Sequence, residues 1–365
     1  MKKIFILAGD PSGDSHAANL MKELKILNPD IEYIGIGGEA MIGAGLKSLV
    51  SLSEISVVGF WEVGRRFLFF QKLLKKCQQL LLEENISCFI PVDYPGFNIR
   101  LAGFAKKNGI PVIYYIAPQL WAWGINRAKK LADCVNKLLV VFPFEVEFFK
   151  KFGINTEFIG HPLLDNPMFA DQMIDFDKRD NTIAFLPGSR KQEVIKHLPL
   201  FEKIGNIISS KMPDYKLCIA KSNAIDESFF YKIINKQGWK VSSDSLGLMQ
   251  SSSAGIVKTG TSNLEAALCG MPFAMVYKTS GFSYHLSKYL INLPYISIIN
   301  ILTNKLVINE FIQSEANPEN IADNIIKLLT DREYYNQIQN EFINIRKMLG
   351  ESGASKRAAK IISNL

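Results

Sequence analysis

The feature that most constrains the fold is an alternation of short, uninterrupted apolar runs with stretches of helical periodicity. In the first half, the apolar runs cover 4–7, 33–36, 88–92, 112–116 and 138–142, and helices are predicted at 15–27 and 98–107. Strands that are apolar along their whole length are typical of parallel sheets covered by helices on both faces. The first half is therefore predicted to form a doubly wound α/β domain.

A second alternation follows a polar, Asp-rich connector. It predicts strands at 182–186, 216–220, 254–257 and 273–277, and helices at 192–212, 262–269, 318–329, 332–348 and 353–363. We expect an N-terminal domain at 1–164, a connector at 165–181, a second domain at 182–345, and a C-terminal helix at 346–365 that packs back on the first domain. Two doubly wound domains facing each other across a cleft are the simplest architecture.

Composition narrows the function classes. The 365 residues carry 42 Lys and Arg against 35 Asp and Glu, a net charge of +7. This mild excess favours anionic substrates or an anionic surface over dedicated nucleic-acid binding.

Five scattered cysteines without a C-x-x-C pair, and four histidines without ligand spacing, indicate neither disulfides nor a metal site. The longest uncharged run, between Lys107 and Arg127, is interrupted by prolines. A soluble cytoplasmic protein is expected.

Two turns in the second half could receive phosphate. Backbone N–H groups of Gly188 and Ser189, with the guanidinium of Arg190, suit a diphosphate at a helix start. A capped connection with a solvated arginine is the alternative. Gly260 and Thr261 form a second small-residue turn before a helix.

Glu265 lies one turn into the helix that follows Thr261, where it could accept hydrogen bonds from a ribose diol. Favouring the helix dipole is its alternative role. With two anion-receptive turns in one domain, the nucleotide interpretation is the better one.

The first half offers two further turns. The segment 9–14 is neither Walker A nor G-x-G-x-x-G; either Ser12 or Asp14 caps a helix there, or Ser12 lines a polar substrate site. Asp93, which directly follows the apolar strand 88–92, is either a general base or a turn-forming aspartate. Asp175 and Asp177 resemble a metal-binding Asp-x-Asp but stand in the connector, and we interpret them as solvated.

Together these segments resemble the lipid-A-disaccharide synthases, inverting glycosyltransferases of the GT-B fold. The motifs that carry the resemblance, in order along nearly the whole chain, are 8–14, 58–63, 93–98, 117–123, 142–145, 158–162, 186–190, 260–265 and 295–300. The resemblance implies transfer of 2,3-diacylglucosamine from its UDP derivative to 2,3-diacylglucosamine 1-phosphate, with a β-1′,6 linkage, inversion and release of UDP. No metal or other cofactor is implied.

The resemblance also implies roles for individual residues. Asp93 is the base that deprotonates the acceptor 6-hydroxyl, and Ser12, with Asp10, Gly13 and Asn98, contacts substrate. The nucleotide is held by Gly188, Ser189, Arg190, Gly260, Thr261, Glu265 and Asn300. Many relatives carry a second acidic residue where this chain has Gly96, which argues against a carboxylate pair. Some relatives have Glu in place of Asp10.

Acyl-chain substrates need apolar surface. In the stretch 65–76, Phe67, Phe70 and Leu74 share one face of a helix with cations alongside, which suggests docking on anionic lipid. The resemblance implies that this lipid is the cytoplasmic face of the inner membrane. A core helix is the alternative.

Three other functions compete: a GT-B enzyme acting on a soluble UDP-N-acetylglucosamine-type substrate, a non-catalytic UDP-sugar-binding regulator, and a nicotinamide dehydrogenase. The last is disfavoured because neither half contains G-x-G-x-x-G. A nucleic-acid partner is not expected, and the oligomeric state is left open.

Overall fold

The computed structural model describes residues 2–55, 67–122, 124–169, 174–222, 225–234, 238–278 and 293–364. Its chain divides into two compact units, Met1–Pro167 with Leu349–Leu365, and Met168–Met348. Each unit is organised around one parallel sheet. The 58–63 motif, Trp123, and residues 65 and 66 at the start of the predicted docking helix lie outside the described residues.

The first unit has a seven-stranded sheet in the order β3-β2-β1-β4-β5-β6-β7. Its strands are β1 (Lys3–Ala8), β2 (Glu32–Ile36), β3 (Leu46–Ser48), β4 (Cys88–Val92), β5 (Ile113–Tyr115), β6 (Lys137–Val140) and β7 (Thr156–Phe158). Its helices are α1 (Pro11–Leu27), α2 (Glu39–Gly43), α3 (Leu52–Ile55), α4 (Phe67–Glu83), α5 (Pro95–Lys107), α6 (Asn126–Cys134) and α7 (Pro143–Lys150).

The second unit has a six-stranded sheet in the order β10-β9-β8-β11-β12-β13. Its strands are β8 (Asp180–Leu186), β9 (Lys216–Ala220), β10 (Trp239–Ser242), β11 (Ser252–Lys258), β12 (Phe273–Tyr277) and β13 (Glu310–Ile312). The helices are α8 (Lys191–Lys211), α9 (Glu227–Phe230), α10 (Ser245–Ser251), α11 (Thr261–Leu268), α12 (Ile298–Thr303), α13 (Pro318–Thr330) and α14 (Arg332–Met348), and α15 (Ala354–Ser363) belongs to the first unit.

Strand order locates the binding edge of each sheet. The chain runs outward from β1 to β2 and β3, then returns to place β4 on the other side of β1; β8 and β11 repeat this reversal. In open α/β sheets, ligands bind beyond the carboxyl ends of the strands at this point of reversal. The turns after β1 and β4 in one unit, and after β8 and β11 in the other, therefore occupy the binding positions.

The predicted strands are all present, and the four that the sequence pattern missed are the four sheet edges. These edge strands, β3, β7, β10 and β13, contain only three or four residues each and are only partly buried. An edge strand has one pairing neighbour and faces solvent, so it lacks the continuous apolar run that identifies a central strand.

Helix α1 begins at Pro11, four residues before the predicted start. Asp10 is its N-cap, and its carboxylate accepts a hydrogen bond from the Gly13 N–H (2.6 Å). The predicted capping by Ser12 or Asp14 is therefore wrong. Asp14 points elsewhere, because its carboxylate accepts hydrogen bonds from the N–H groups of Gly38, Ala40 and Met41 at the start of α2.

The C-terminal segment is fastened to the first unit at the start of α15. The carboxylate of Asp165 accepts hydrogen bonds from the N–H groups of Gly353 (2.6 Å), Ala354 (2.9 Å) and Ser355 (2.9 Å). Arg357 adds hydrogen bonds to the carbonyls of Ile159 and Glu351. These contacts satisfy N–H groups that have no partner within the helix.

The predicted docking helix proves to be α4, and its apolar face is divided. Phe70 and Leu74 pack against the core of the first unit, as the core interpretation requires. Phe67 and Leu68 at its start are 51% and 72% exposed. None of the helices in the described part of the chain has the length and apolar character needed to cross a membrane.

Candidate active site

Asp93 occupies a conformationally costly turn at the end of β4. It and Tyr94 both have positive φ, +41° and +48°, which non-glycine residues rarely adopt in succession. The Asp93 carbonyl accepts hydrogen bonds from the Tyr114 hydroxyl and from Asn98 Nδ2. These donors hold the turn, and Asp93 as a residue stays partly exposed. Strain fixed by surrounding contacts is a feature of functional sites.

The turn after β1 packs directly against the Asp93 turn. A Cβ on Gly9 would stand 2.2 Å from Cγ of Tyr94, so only glycine allows the ring its place. Gly13, whose N–H bonds to Asp10, adjoins Ala8 and Val92 at the ends of β1 and β4. The structure therefore brings the predicted residues of the first unit together at the point where the strand order reverses.

The pKa of Asp93 depends on burial and on a neighbouring carboxylate, that of Asp10. Burial and, to a lesser extent, the nearby Asp10 carboxylate together raise the pKa of its carboxyl to about 7, against the opposing effect of a hydrogen bond from the Tyr94 N–H. Within the motif 93–98, Asp93 is the only carboxylate, and the carboxylate that acts on it comes from the turn after β1. At Gly96 an added Cβ would meet nothing within 4 Å, so the site has room for the acidic residue it lacks.

A third carboxyl group, Glu145, was missed as a site residue. It is fully buried at the start of α7 and accepts hydrogen bonds from Trp121 Nε1 (2.9 Å) and from the N–H groups of Val141 (3.2 Å) and Phe142 (3.0 Å). Burial raises its pKa to about 7, and the Asp93 charge contributes to the rise. Only the motif 142–145 pointed to this residue; its partner Trp121 is distant in sequence.

Ser12 is partly exposed in the first turn of α1, and its hydroxyl lies 3.3 Å from Nε2 of His16. Burial lowers the pKa of His16 to about 4 and that of His161 to about 3. Both imidazoles are therefore neutral near pH 7, so His16 Nε2 either accepts a hydrogen bond from the Ser12 hydroxyl or donates one to it, depending on the tautomer.

Asn98 is fully buried. Its amide nitrogen donates hydrogen bonds to the carbonyls of Val92 (3.2 Å) and Asp93 (2.8 Å). In this position it holds the Asp93 turn, which makes it a positioning residue. That it also contacts substrate stays a prediction from the resemblance.

In the second unit, the turn after β8 has the predicted form. Gly188 has φ +111°, and a Cβ there would stand 2.3 Å from Oε2 of Glu193. Ser189 is exposed, and the Arg190 side chain is 41% exposed directly before α8. The N–H groups and guanidinium are thus available at a helix N-terminus, which favours an anion.

The turn after β11 is built in the same way. Gly260 has φ +145°, Thr261 is exposed, and α11 begins at Thr261. Burial raises the pKa of Glu265, and a hydrogen bond with Ser262 opposes that rise. Glu265 is only partly buried and can still accept from a hydroxyl.

Asn300 lies in helix α12 and is fully buried. Its Nδ2 donates to the Ile308 carbonyl (2.9 Å) and to Glu310 Oε1 (2.8 Å), and its Oδ1 accepts from the N–H groups of Val307 and Ile308. The protein thus fills the hydrogen-bonding capacity of this side chain. The structure places Asn300 as a support for the β13 edge, and direct nucleotide contact stays a prediction.

Asp175 and Asp177 lie in the connector with side chains 74% and 80% exposed, and they pair with Lys178 and Arg332. Both are solvated, as predicted. Within the described ranges, no three His, Cys, Asp or Glu side chains form a cluster suited to a metal.

Solved structures with similar folds define the class. The chain superposes over its whole length on the UDP-GlcNAc 2-epimerase of Neisseria meningitidis bound to UDP-GlcNAc, with a TM-score of 0.67, 13% identity and 100% of that chain covered. The glycotransferase of kitacinnamycin gives the same score and identity, with 100% of this chain and 98% of that one covered. The fold is therefore GT-B-like, the class that includes glycosyltransferases and UDP-GlcNAc 2-epimerases.

Sequence comparison identifies the family within that class. The family model described as lipid-A-disaccharide synthetase matches residues 4–364. The lipid-A-disaccharide synthase of Syntrophus aciditrophicus is 36% identical, with 98% of this chain and 96% of that protein covered, and that of Persephonella marina is 34% identical, with 100% and 99% covered. The chain belongs to the lipid-A-disaccharide synthase family and is a glycosyltransferase of lipid A biosynthesis.

Proposed function

We propose that the enzyme joins UDP-2,3-diacylglucosamine to 2,3-diacylglucosamine 1-phosphate by inverting displacement, with Asp93 as the general base. The observation that carries this is the position of Asp93 on its strained turn at the end of β4, with a pKa that burial raises to about 7. A base with a pKa near the working pH combines a high ionised fraction with a useful affinity for the proton.

Inversion in one step requires one base on the acceptor and stabilisation of the departing diphosphate. Asp93 takes the proton of the acceptor 6-hydroxyl as its oxygen forms the new bond to the anomeric carbon. Meanwhile the bond from that carbon to the diphosphate breaks, and negative charge grows on UDP. The N–H groups at Gly188 and Gly260 and the Arg190 guanidinium would oppose that charge. Glu265 would accept hydrogen bonds from the ribose.

Peripheral contact with the membrane is a further part of the proposal. It is supported by Phe67 and Leu68, exposed at the start of α4, and by the exposed Lys72, Lys75 and Lys76 on the same helix. Apolar side chains beside cations suit the surface of an anionic bilayer.

The test mixes purified protein with both proposed substrates, with EDTA and without added metal, and follows the disaccharide by mass spectrometry. We expect product and an equal amount of UDP. A folded wild-type protein that forms no disaccharide would refute the substrate assignment. Strong inhibition by EDTA would instead support the metal-binding interpretation of Asp175 and Asp177.

A further inference from the structure

Lys258 ends β11 immediately before the turn at Gly260, and both ends of this residue are held. Its carbonyl accepts a hydrogen bond from Asn263 Nδ2 (2.9 Å), and its ammonium Nζ donates to Glu193 Oε1 (2.9 Å). The Lys258 side chain is only 20% exposed. Lysine carries a flexible and strongly hydrated ammonium, so a lysine withdrawn from solvent at a binding edge calls for an explanation.

Glu193 contacts both Lys258 and the turn after β8, which contains Gly188 and Arg190. Its Oε2 accepts a hydrogen bond from the Arg190 N–H (3.4 Å) and fills the space that a side chain at Gly188 would need. Lys258 Nζ itself lies 3.9 Å from the place of a Cβ on Gly260. One carboxylate and one ammonium thus adjoin both turns assigned to the nucleotide.

Arg190, Lys258 and Glu193 together carry a net positive charge that can attract an anionic ligand. Nη1 of Arg190 lies 3.5 Å from Glu193 Oε1, so the ion pairs among the described residues join two cations, Arg190 and Lys258, to the one carboxylate of Glu193. An ammonium has three donors, and the contact with Glu193 uses one. Glu193 therefore orients Lys258 and takes one of its three donors, and the net positive charge suits a diphosphate.

We propose that Lys258, oriented by Glu193 between the turns after β8 and β11, is a second cation that binds the diphosphate of the UDP group. This inference rests on the proposed nucleotide role of those turns. In the reaction, the Lys258 ammonium would donate to the diphosphate oxygens as their charge increases, alongside Arg190. Glu193 acts through Lys258 and is a positioning residue.

A purely structural ion pair is the competing explanation, and the two differ in what they predict for ligands. If Lys258 binds the diphosphate, removing its ammonium weakens the binding of UDP but not the binding of uridine, which has no phosphate. A structural pair instead affects stability, or affects all ligands alike. The ratio of UDP to uridine affinity within one variant separates these cases, because it does not depend on the folded fraction.

The experiment measures UDP, UMP and uridine binding to the full chain by titration calorimetry. The decisive comparison is Glu193→Gln against the double variant Glu193→Gln/Lys258→Met, since both lack the carboxylate that would otherwise be left unpaired. We expect the double variant to bind UDP about 10- to 100-fold more weakly than Glu193→Gln, the range for a charge-assisted hydrogen bond, with uridine binding unchanged.

Two further variants and one control complete the design. Lys258→Arg should retain most UDP affinity, and Lys258→Gln, which keeps a donor but not the charge, should lose it. Lys216→Met, at the exposed amino end of β9, should leave all three affinities unchanged.

Unchanged UDP affinity in the double variant, or equal losses for UDP and uridine, would overturn this inference while leaving the proposed reaction intact. If instead the wild-type protein makes no disaccharide but its UDP affinity still depends on Lys258, the proposed reaction fails and the diphosphate site stands.

Discussion

Gly9 and Tyr94 are in contact where the turns after β1 and β4 meet: a Cβ on Gly9 would lie 2.2 Å from Cγ of the tyrosine ring. Tyr94 is anchored on its far side, because its hydroxyl donates to the carbonyl of Ile55 (3.1 Å). The ring therefore cannot retreat without losing that hydrogen bond and shifting Asp93, the preceding residue.

Gly9→Ala should consequently displace the turn that carries Asp93, the proposed base. We expect a loss of activity of about 100-fold or more, the scale for misplacing a reacting group by 1 Å, and a lower melting temperature. Gly96→Ala is the matched control, since a Cβ there meets nothing within 4 Å. Equal activities in the two variants would show that the contact does not position Asp93.

Asp93→Asn keeps the size of the side chain and removes the base. We expect turnover to fall by about 10²- to 10⁴-fold, the usual contribution of general base catalysis, while UDP affinity stays within about twofold because the nucleotide turns are elsewhere in the chain. Asp133→Asn, exposed on α6, is the control. Substantial turnover by Asp93→Asn would exclude the proposed base.

The pH dependence follows from the pKa of Asp93, which is raised to about 7 by burial and then by Asp10. Since the base must be ionised, kcat/KM should rise with pH and level off above about pH 7. Asp10→Asn keeps an N-cap for α1 and removes one source of the raised pKa, so the rise should move to lower pH. An unmoved profile would show that Asp10 does not act on the base.

The same pKa has a consequence for stability. The folded pKa exceeds that of an unfolded aspartate, about 3.9, so the protein loses stability as the pH rises from about 4 to 7. Asp93→Asn removes this loss and should raise the melting temperature at pH 8 more than at pH 4.5, as differential scanning fluorimetry can measure. Asp133→Asn should show no such difference.

Much of the binding edge could be predicted because parallel strands end at a common edge. Asp93, Gly188 and Gly260 were identifiable as turn residues after apolar strands, and the structure places all three where the strand order reverses. The start of α1 could also have been predicted, since Asp10 followed by Pro11 is typical of an N-cap and the first helical residue. The segment 9–14 was instead interpreted as a turn because it contains Gly9 and Gly13, so the helix was predicted to begin four residues too late.

What the sequence did not reveal depends on contacts between distant segments. The pairing of Lys258 with Glu193 joins residues 65 positions apart, and Glu145 meets Trp121 across 24. No local pattern marks such partners, because their proximity is created by strand pairing. Likewise, the influence of Asp10 on Asp93 follows from the adjacency of β1 and β4.

Arg190→Ala should weaken donor binding as well as turnover. The Arg190 side chain is 41% exposed beside the α8 N-terminus, so it can reach an incoming anion. We expect UDP affinity to fall about 10- to 100-fold, with partial recovery in Arg190→Lys, which keeps the charge but loses the two-pronged geometry. Lys211→Ala, at the other end of α8, is the control. Wild-type UDP affinity in Arg190→Ala would remove this residue from the nucleotide site.

Asp165 should prove important for stability without taking part in the chemistry. Its carboxylate serves three N–H groups at the start of α15, so Asp165→Ala leaves those donors without this partner and loosens the helix from the first unit. The loss of an N-cap costs about 0.5–2 kcal/mol, and a lower melting temperature with faster proteolysis near residue 350 is expected. Asp165→Asn, which retains one acceptor oxygen, should lie between wild type and Ala. If Asp165→Ala melts and digests like the wild type, α15 is held by its packing alone.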